Sequence, residues 1–207
     1  MARRPADRPG PSTRDDAGVV IPLRSFVHAK ERLAGALSHD ARAALVREMA
    51  DRVVRAAAPR PIVVVTDALE VAAWAREYGL SVIADPGSLD AAATAGREWV
   101  REQGLSRVVV VHADLPLASS LDAVADDGNA PVAVIVPDHR DDGTPVLSLP
   151  VSAPFEFAYG PGSAALHAAE ARRCGLEVRI VRDAELGFDV DVEDDLRTLD
   201  RRRNPLP

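Results

Sequence analysis

The chain has 207 residues, of which 47% are hydrophobic and 4% aromatic, and its formal net charge is −7. This length suits one well-filled α/β domain, and the negative charge argues against a non-specific nucleic-acid binder, which needs a broad cationic surface. One cysteine, Cys174, excludes an internal disulfide, and the lack of a membrane-spanning apolar run or a secretion signal leads us to expect a cytoplasmic protein.

The N-terminal half alternates predicted strands with predicted helices. Residues 1–17 have little to bury and are predicted to form a disordered tail, which leaves 18–207 as a single domain. The predicted strands are β-branched runs without polar alternation, which is typical of strands buried on both faces. They lie at 19–23, 62–65, 80–84 and 108–111. The run at 108–111 is the most apolar, and we expect it to be the central strand.

Helices are predicted between these strands. One begins near Ser38, a second is capped by Asp67 with Glu70 as its capping-box partner, and a third runs from Ser88 to about Gln103. A series of strands and helices in this order is typical of a parallel sheet with helices on both faces.

The C-terminal half has a different pattern. A buried strand is predicted at 132–137, and a polar turn follows at 138–144. The alternation at 146–149 and 155–157 predicts antiparallel or edge strands, and that at 176–181 is similar. Ser163 is predicted to cap a helix that continues to Cys174. The last predicted elements are a short strand that passes into a helix, over 187–196.

Acidic and basic residues follow several of the strands. Asp114 ends the central strand, and Asp189 and Asp191 lie near the end of the chain. The first strand is followed by three cations, Arg24, Lys30 and Arg32. Carboxylates beside a cationic loop can hold magnesium against a nucleoside triphosphate.

Each of these residues also has a simpler interpretation. Asp114 is also consistent with a turn or capping residue, although the sequence favours a site residue, and Asp191 is equally consistent with the N-cap of the last helix. Arg24 and Lys30 are equally consistent with exposed surface residues.

Two glycine-containing segments form a second candidate site. Gly143 precedes Thr144, and Gly160 and Gly162 precede Ser163, so backbone and hydroxyl groups can cradle a small anion. A tight turn and a helix cap explain the same residues. We interpret two histidines, His112 and His167, as structural rather than catalytic.

Taken together, these segments resemble the guanylyltransferases of coenzyme F-420 (deazaflavin) biosynthesis, which are called 2-phospho-L-lactate or phosphoenolpyruvate guanylyltransferases. The resemblance spans essentially all of the chain after the tail. Its segments lie in the family's order, at 21–24 (IPLR), 29–33 (AKERL), 113–116 (ADLP), 143–144 (GT), 159–163 (YGPGS) with His167, 188–191 (FDVD) and 194–196 (DDL).

The resemblance implies an α/β, three-layer Rossmann-like nucleotidyltransferase fold of the nucleotide-diphospho-sugar transferase type. Its central sheet would be mostly parallel, with an antiparallel portion in the C-terminal half. The resemblance also implies transfer of GMP from GTP to the phosphate of phosphoenolpyruvate or 2-phospho-L-lactate, with release of pyrophosphate.

The resemblance further implies roles for individual residues. The magnesium ligands would be Asp114, Asp189 and Asp191. The catalytic residues would be Asp114, Lys30 and Arg24. The nucleotide-binding residues would be Arg24, Lys30, Arg32 and Asp90. The acceptor-binding residues would be Thr144, Gly160 and Ser163.

Two alternatives stay open, because Asp90 and Pro145 stand where many members of the family have asparagine. The first is a nucleotidyltransferase of the same fold that uses another nucleotide or another acceptor, such as 3-phosphoglycerate, a sugar phosphate or a pterin. The second is a catalytically silent nucleotide-binding partner of the next enzyme of the pathway.

Overall fold

A seven-stranded sheet organises residues 16–204, the part of the chain that the computed structural model describes. The strands are β1 (Ala17–Pro22), β2 (Ile62–Val65), β3 (Ser81–Ile83), β4 (Arg107–Val111), β5 (Val132–Val136), β6 (Val146–Pro150) and β7 (Glu177–Ile180). Their spatial order is β3-β2-β1-β4-β6-β5-β7. The prediction that 108–111 forms the central strand is therefore confirmed, since β4 is the fourth of seven.

The direction of β6 distinguishes the two halves of the sheet. β4 runs parallel to β1 and antiparallel to β6, and β6 is also antiparallel to β5. β6 therefore begins at the edge where β4 ends, which is the edge where open α/β sheets bind ligands. The backbone N–H of His112, just after β4, donates to the carbonyl of Pro145, just before β6, at 2.9 Å.

Helices cover both faces of the sheet. They are α1 (His39–Ala57), α2 (Leu69–Glu77), α3 (Leu89–Glu102), α4 (Asp122–Ala125), α5 (Ser163–Arg173) and α6 (Glu193–Arg203). Ser38 and Ser88 cap α1 and α3 through their hydroxyl oxygens, as predicted. Among the described residues, no helix combines the length and apolar character that crossing a membrane requires.

Two apolar clusters lie on opposite faces of the sheet. On β1, Val19 and Ile21 join the cluster that contains Trp74 of α2, whereas Val20 joins the cluster that contains Val100 of α3. This alternation follows from the period of two along a strand. It produces a helix–sheet–helix sandwich, so the predicted three-layer α/β fold is confirmed.

The predicted boundary of the N-terminal tail is slightly too late. β1 begins at Ala17, which is fully buried, and the Asp16 carboxylate accepts a hydrogen bond from the backbone N–H of Ser106 at 3.2 Å. Residues 1–15 of the predicted tail lie outside the described residues.

The strand predicted at 155–157 is wrong, because side chains take the place of a partner strand. The backbone N–H of Glu156 donates to the Glu170 carboxylate at 2.8 Å, and that of Ala158 donates to His167 Nε2 at 3.0 Å. Because side chains of α5 accept these hydrogen bonds, the segment does not require a neighbouring strand as its partner. The short strand predicted near residue 187 is also absent from the described residues, where an irregular loop leads to α6.

Two predicted helix caps are wrong as well. The N-cap of α2 is Ala68, and the Asp67 carboxylate instead accepts a hydrogen bond from the backbone N–H of Asp85 at 3.1 Å. The N-cap of α5 is Gly162, in a left-handed conformation with φ of 72°. Ser163 is the first helical residue, and its hydroxyl is hydrogen-bonded to that of Thr144.

Candidate active site

Three carboxylates from distant parts of the chain meet at the sheet edge where β4 ends. Asp114 follows β4, and Asp189 and Asp191 lie in the loop before α6. One oxygen from each carboxylate lies within 4.8 Å of the other two. The structure therefore brings together the three predicted metal ligands. A donor set made of carboxylate oxygens suits a hard divalent cation such as magnesium.

The carboxylates are not fully satisfied by protein groups. Asp114 Oδ1 and Asp189 Oδ1 are buried without a hydrogen-bond partner in the described residues. His139 Nδ1 lies 3.2 Å from Asp189 Oδ1, within ion-pair distance but without hydrogen-bond alignment. Burial raises the pKa of Asp189 to about 6, and the charges of Asp114 and Asp191 add to this effect. Both observations fit a bound cation, which would supply the missing partner.

Lys30 provides the positive charge within this cluster. Its Nζ lies 2.6 Å from Asp114 Oδ2 and 2.6 Å from Asp191 Oδ1, and its side chain is 10% exposed. Burial alone would lower the pKa of Lys30, but the two carboxylates outweigh burial and raise it above the ordinary value. Burial would likewise raise the pKa of Asp114, but Lys30 outweighs it and lowers that pKa. Lys30 is therefore a permanent cation.

The loop that carries Asp189 and Asp191 is held by Asp195, in the first turn of α6. Asp195 Oδ2 accepts hydrogen bonds from the backbone N–H groups of Asp191 and Val192, at 2.9 and 3.0 Å. Asp195 Oδ1 accepts from the Arg140 guanidinium at 2.6 Å. The N-cap of α6 is Val192, so the alternative that Asp191 is the cap does not hold.

A cavity of about 500 Å³ opens beside the carboxylates. Its lining includes Arg24 and Lys30 from the segment after β1, Leu89 from α3, and His112 and Asp114 from the segment after β4. A cavity of this size and shape is typical of sites that bind small molecules and cofactors. The cavity therefore joins the cationic segment to the carboxylate cluster.

Arg24 and Arg32 lie at the margins of this cavity. Arg24 is exposed, donates to the Asp85 carboxylate at 3.2 Å, and also donates to the carbonyl of Gly87. These contacts fix its guanidinium at the mouth of the cavity. Arg32 is exposed and lines a separate recess together with Lys30 and Asp191. Roles for Arg24 and Arg32 in nucleotide binding stay predictions.

Asp90 lies outside the lining of the cavity. Its Oδ1 accepts a hydrogen bond from the backbone N–H of Tyr159 at 2.7 Å, so it ties the start of α3 to the segment before α5. This contact requires a side-chain oxygen at position 90, which aspartate and asparagine both supply. A role for Asp90 in nucleotide binding stays a prediction.

Thr144 and Ser163 form one buried cluster with His167. Thr144 Oγ1 lies 3.1 Å from Ser163 Oγ and 3.1 Å from His167 Nδ1. Gly160, the third predicted acceptor-binding residue, lies in the exposed turn before α5, with φ of 130°. The structure therefore places all three predicted residues around the N-terminus of α5, as one group.

Comparison with known proteins assigns the family. Residues 17–200 match the family model described as "Guanylyl transferase CofC like". The chain belongs to this family. A phosphoenolpyruvate guanylyltransferase from Chloroflexus aggregans is 34% identical over 191 residues, which cover 87% of this chain and 95% of that protein. Another, from Rubrobacter xylanophilus, is 35% identical over 87% of this chain and 92% of that protein.

Other relatives extend the comparison. A 3-phospho-D-glycerate guanylyltransferase from Phenylobacterium zucineum is 31% identical over 86% of this chain and 87% of that protein. Among solved structures, a protein assigned as a nucleotide-diphospho-sugar transferase from Desulfovibrio desulfuricans G20 has a TM-score of 0.74, at 18% identity, over 92% of this chain and 89% of that one. This likeness confirms the predicted nucleotidyltransferase fold of the CofC-like chain.

Some residues of this CofC-like site were missed by sequence reasoning. His112 lines the cavity, and its Nε2 is buried without a hydrogen-bond partner in the described residues. Asp195 and Arg140 hold the loop that carries Asp189 and Asp191. The position of Asp195, three residues into the last helix, is a capping signal. Nothing in the sequence pattern identifies Arg140 as its partner.

Proposed function

We propose that this CofC-like chain transfers GMP from GTP to phosphoenolpyruvate or 2-phospho-L-lactate and releases pyrophosphate, in coenzyme F-420 biosynthesis. The observation that carries the proposal is the meeting of Asp114, Asp189, Asp191 and Lys30 beside a cavity of about 500 Å³. Membership of the family, and relatives named phosphoenolpyruvate guanylyltransferase, support guanylyl transfer.

The reaction places modest demands on acid–base groups. An oxygen of the acceptor's phosphate attacks the α-phosphorus of GTP, the new P–O–P bond forms, and the bond to the β-phosphate breaks to release pyrophosphate. The attacking oxygen is already ionised at neutral pH, so no strong general base is required. Catalysis then depends on positioning the two substrates and on neutralising charge in the transition state.

The side chains of the cluster match these demands. Asp114, Asp189 and Asp191 would hold magnesium, which neutralises charge on the phosphate oxygens when bound. Lys30 uses two of its three N–H groups on the carboxylates. The third can donate to a phosphate oxygen of GTP, and the raised pKa of Lys30 keeps it charged.

The acceptor is proposed to bind near α5, through Thr144, Gly160 and Ser163. The name of the Phenylobacterium relative favours 3-phosphoglycerate as a second candidate acceptor. Because these acids differ by a double bond, a hydroxyl group or the position of the phosphate, pocket shape rather than a motif selects among them. The next enzyme of the pathway, which takes up the guanylylated product, stays a predicted partner.

The test is to incubate the purified protein with GTP, magnesium and each of the three acids in turn. We expect pyrophosphate release with at least one acid and a product whose mass equals that acid plus GMP. Asp114→Asn, which removes one carboxylate from the cluster, is expected to lower the rate at least about 100-fold. The fully exposed Asp40 provides a matched control, because Asp40→Asn makes the same chemical change outside the cavity lining.

Two outcomes would contradict the proposal. The first is wild-type protein that releases no pyrophosphate with any of the three acids, which would favour another acceptor or a silent nucleotide-binding protein. The second is Asp114→Asn that turns over as fast as Asp40→Asn, which would remove Asp114 from the mechanism.

A further inference from the structure

The imidazole ring of His112 forms part of the cavity wall and has no hydrogen-bond partner in the described residues. His112 follows β4, is half-buried, and lines the cavity of about 500 Å³. Its Nε2 atom is buried, whereas Nδ1 retains accessible surface. Most polar side-chain atoms in protein interiors are hydrogen-bonded. The fold therefore uses neither ring nitrogen, and Nδ1 is the one that a ligand in the cavity can reach.

The side chains around His112 do not satisfy its ring. The Tyr159 ring packs against it, with 5.5 Å between the centroids, but the Tyr159 hydroxyl is itself buried without a partner in the described residues. Asp114, two residues further along the chain, directs Oδ2 at Lys30 Nζ, 2.6 Å away. The ring is therefore held by packing, and its hydrogen-bonding capacity is unused.

His112 lies between the cavity and the segments that are proposed to bind the acceptor. Its backbone N–H donates to the carbonyl of Pro145 at 2.9 Å, and its ring contacts that of Tyr159. Pro145 directly follows Thr144, and Tyr159 directly precedes Gly160. An acid held by the segments of Thr144 and Gly160 would therefore lie on the His112 side of the cavity.

The cations of the cavity lining are already paired with carboxylates. Lys30 Nζ lies 2.6 Å from Asp114 and 2.6 Å from Asp191, and Arg24 pairs with Asp85 at 3.2 Å. Carboxylate and ionised phosphate oxygens only accept hydrogen bonds, so an acid that enters the cavity needs further donors. An imidazole N–H supplies one.

We propose that His112 is an acceptor-binding residue whose Nδ1–H donates a hydrogen bond to an anionic oxygen of the acceptor acid. This inference rests on the proposed function and deepens it, because it assigns a ligand contact to a histidine that the sequence suggested was structural. The contact requires the ring proton to be on Nδ1, since the oxygen can only accept.

The first test compares the KM for the acceptor with the KM for GTP. In His112→Phe the ring can still pack against Tyr159, but both nitrogens are lost. We expect the acceptor KM to rise about tenfold, as for the loss of one hydrogen bond to a charged group, and the GTP KM to stay within about twofold. His28→Phe is the matched control, because His28 is exposed and lines the same cavity. We expect it to leave the acceptor KM unchanged.

Two further variants identify the nitrogen that makes the contact. The amide nitrogen of His112→Asn can take the position of Nδ1, whereas that of His112→Gln can take the position of Nε2. We expect the acceptor KM of the asparagine variant to stay within about threefold of the wild type and that of the glutamine variant to rise about tenfold. The opposite order would overturn the proposed contact. This comparison also serves if His112→Phe does not fold.

The second test measures acceptor binding apart from turnover. The protein is saturated with magnesium and α,β-methylene-GTP, which cannot release pyrophosphate, and is titrated calorimetrically with phosphoenolpyruvate, 2-phospho-L-lactate or 3-phosphoglycerate. We expect the acid that binds to the wild type to bind about tenfold more weakly to His112→Phe, at an unchanged melting temperature.

The outcomes separate this inference from the proposed function. A wild-type enzyme whose acceptor KM and acceptor affinity are matched by His112→Phe would contradict the inference alone. An equal rise in acceptor KM in His28→Phe, or a rise in both KM values in His112→Phe, would show a general effect on the cavity and would also overturn it. Wild-type protein that binds none of the acids and releases no pyrophosphate would contradict the proposed function, and this inference with it.

Discussion

Lys30 determines the charge balance of the site at the scale of single residues. Its backbone is in the left-handed region, with φ of 56°, which a non-glycine residue occupies at a cost of about 1 kcal/mol or more. The two ion pairs of its ammonium group hold it there. That Asp114, Asp189 and Asp191 converge could be predicted, since they follow elements that end at one sheet edge. That Lys30 lies between the carboxylates could not, because this depends on an unusual backbone conformation.

Asp189 makes the stability of the protein depend on pH. Its pKa rises from 3.8 to about 6 on folding, so the folded state binds this proton more tightly than the unfolded chain does. The stability that Asp189 contributes is therefore complete below about pH 4 and is lost as the pH rises through about 6. Above pH 6 the ionised carboxylate destabilises the metal-free protein.

Asp189→Asn is expected to remove this destabilisation. In metal-free buffer at pH 8, we expect the variant to be more stable than the wild type by about 3 kcal/mol, with the difference disappearing as the pH falls to 4. Urea unfolding across this pH range, with a chelator present, measures the difference. A difference that does not change with pH would contradict the assignment of the raised pKa.

At the scale of secondary-structure elements, the N-terminus of α6 holds the loop that carries Asp189 and Asp191. Asp195 accepts the backbone N–H groups of Asp191 and Val192 through one oxygen and the Arg140 guanidinium through the other. Because both oxygens are acceptors, a neutral amide cannot satisfy all three donors. The helix therefore fixes the loop through one side chain.

Asp195→Asn is expected to weaken magnesium binding without unfolding the protein. We expect a loss of about tenfold in affinity, because the proposed ligand Asp191 loses part of the contact that fixes its backbone. Isothermal titration with magnesium measures the affinity, and circular dichroism checks the fold. Asp194→Asn is the matched control, since the neighbouring Asp194 is 84% exposed and lies in the same helical turn. Equal affinities in the two variants would contradict this role.

The segment at 155–159 shows how an alternating sequence can suggest a strand that the structure does not contain. Alternating Phe155, Glu156 and Phe157 predict a strand, but the structure has none there. The alternation instead reflects two buried rings. The Phe155 and Phe157 rings pack edge to face in the core, with 5.4 Å between their centroids. The backbone donors of this segment bind carboxylate and imidazole groups of α5 and α3. Those partners are distant in sequence, so local periodicity does not reveal them.

At the scale of the whole molecule, α3 packs closely against β1 and also contributes to the cavity wall. A Cβ built at Gly96 of α3 would lie 2.2 Å from a methyl carbon of Val20 in β1, and one at Gly18 would lie 2.7 Å from Val100. At these points a valine side chain of one element therefore packs directly against the glycine of the other. α3 also carries Leu89, so the helix that packs against β1 at these glycines forms part of the cavity wall.

Gly96→Ala is expected to destabilise the whole protein. Overpacking costs about 1–3 kcal/mol, which exceeds the gain of about 1 kcal/mol from replacing glycine by alanine in a helix. Thermal unfolding measures the change, and we expect a lower melting temperature. Gly35→Ala is the control, because a Cβ at Gly35 would meet no atom within 4 Å. A Gly96→Ala protein as stable as this control would contradict the close packing.

The fold class and the central position of β4 could be predicted from the sequence because runs such as 108–111 identify buried strands. The place of β6 between β4 and β5 could not be predicted. It depends on a pairing between Val110 and Leu147, which no local pattern encodes. The same limit applies to Asp90, whose partner Tyr159 lies 69 residues away.

The insertion of β6 has a consequence for synthesis on the ribosome. β4 emerges before β5 and β6, so the valine-rich middle of the nascent sheet carries an unpaired edge until translation has passed residue 150. Such an edge is a template for pairing with other chains. A stalled or truncated translation product that ends between β4 and β6 would therefore be prone to aggregate. In the finished chain, that edge is paired at the centre of the sheet.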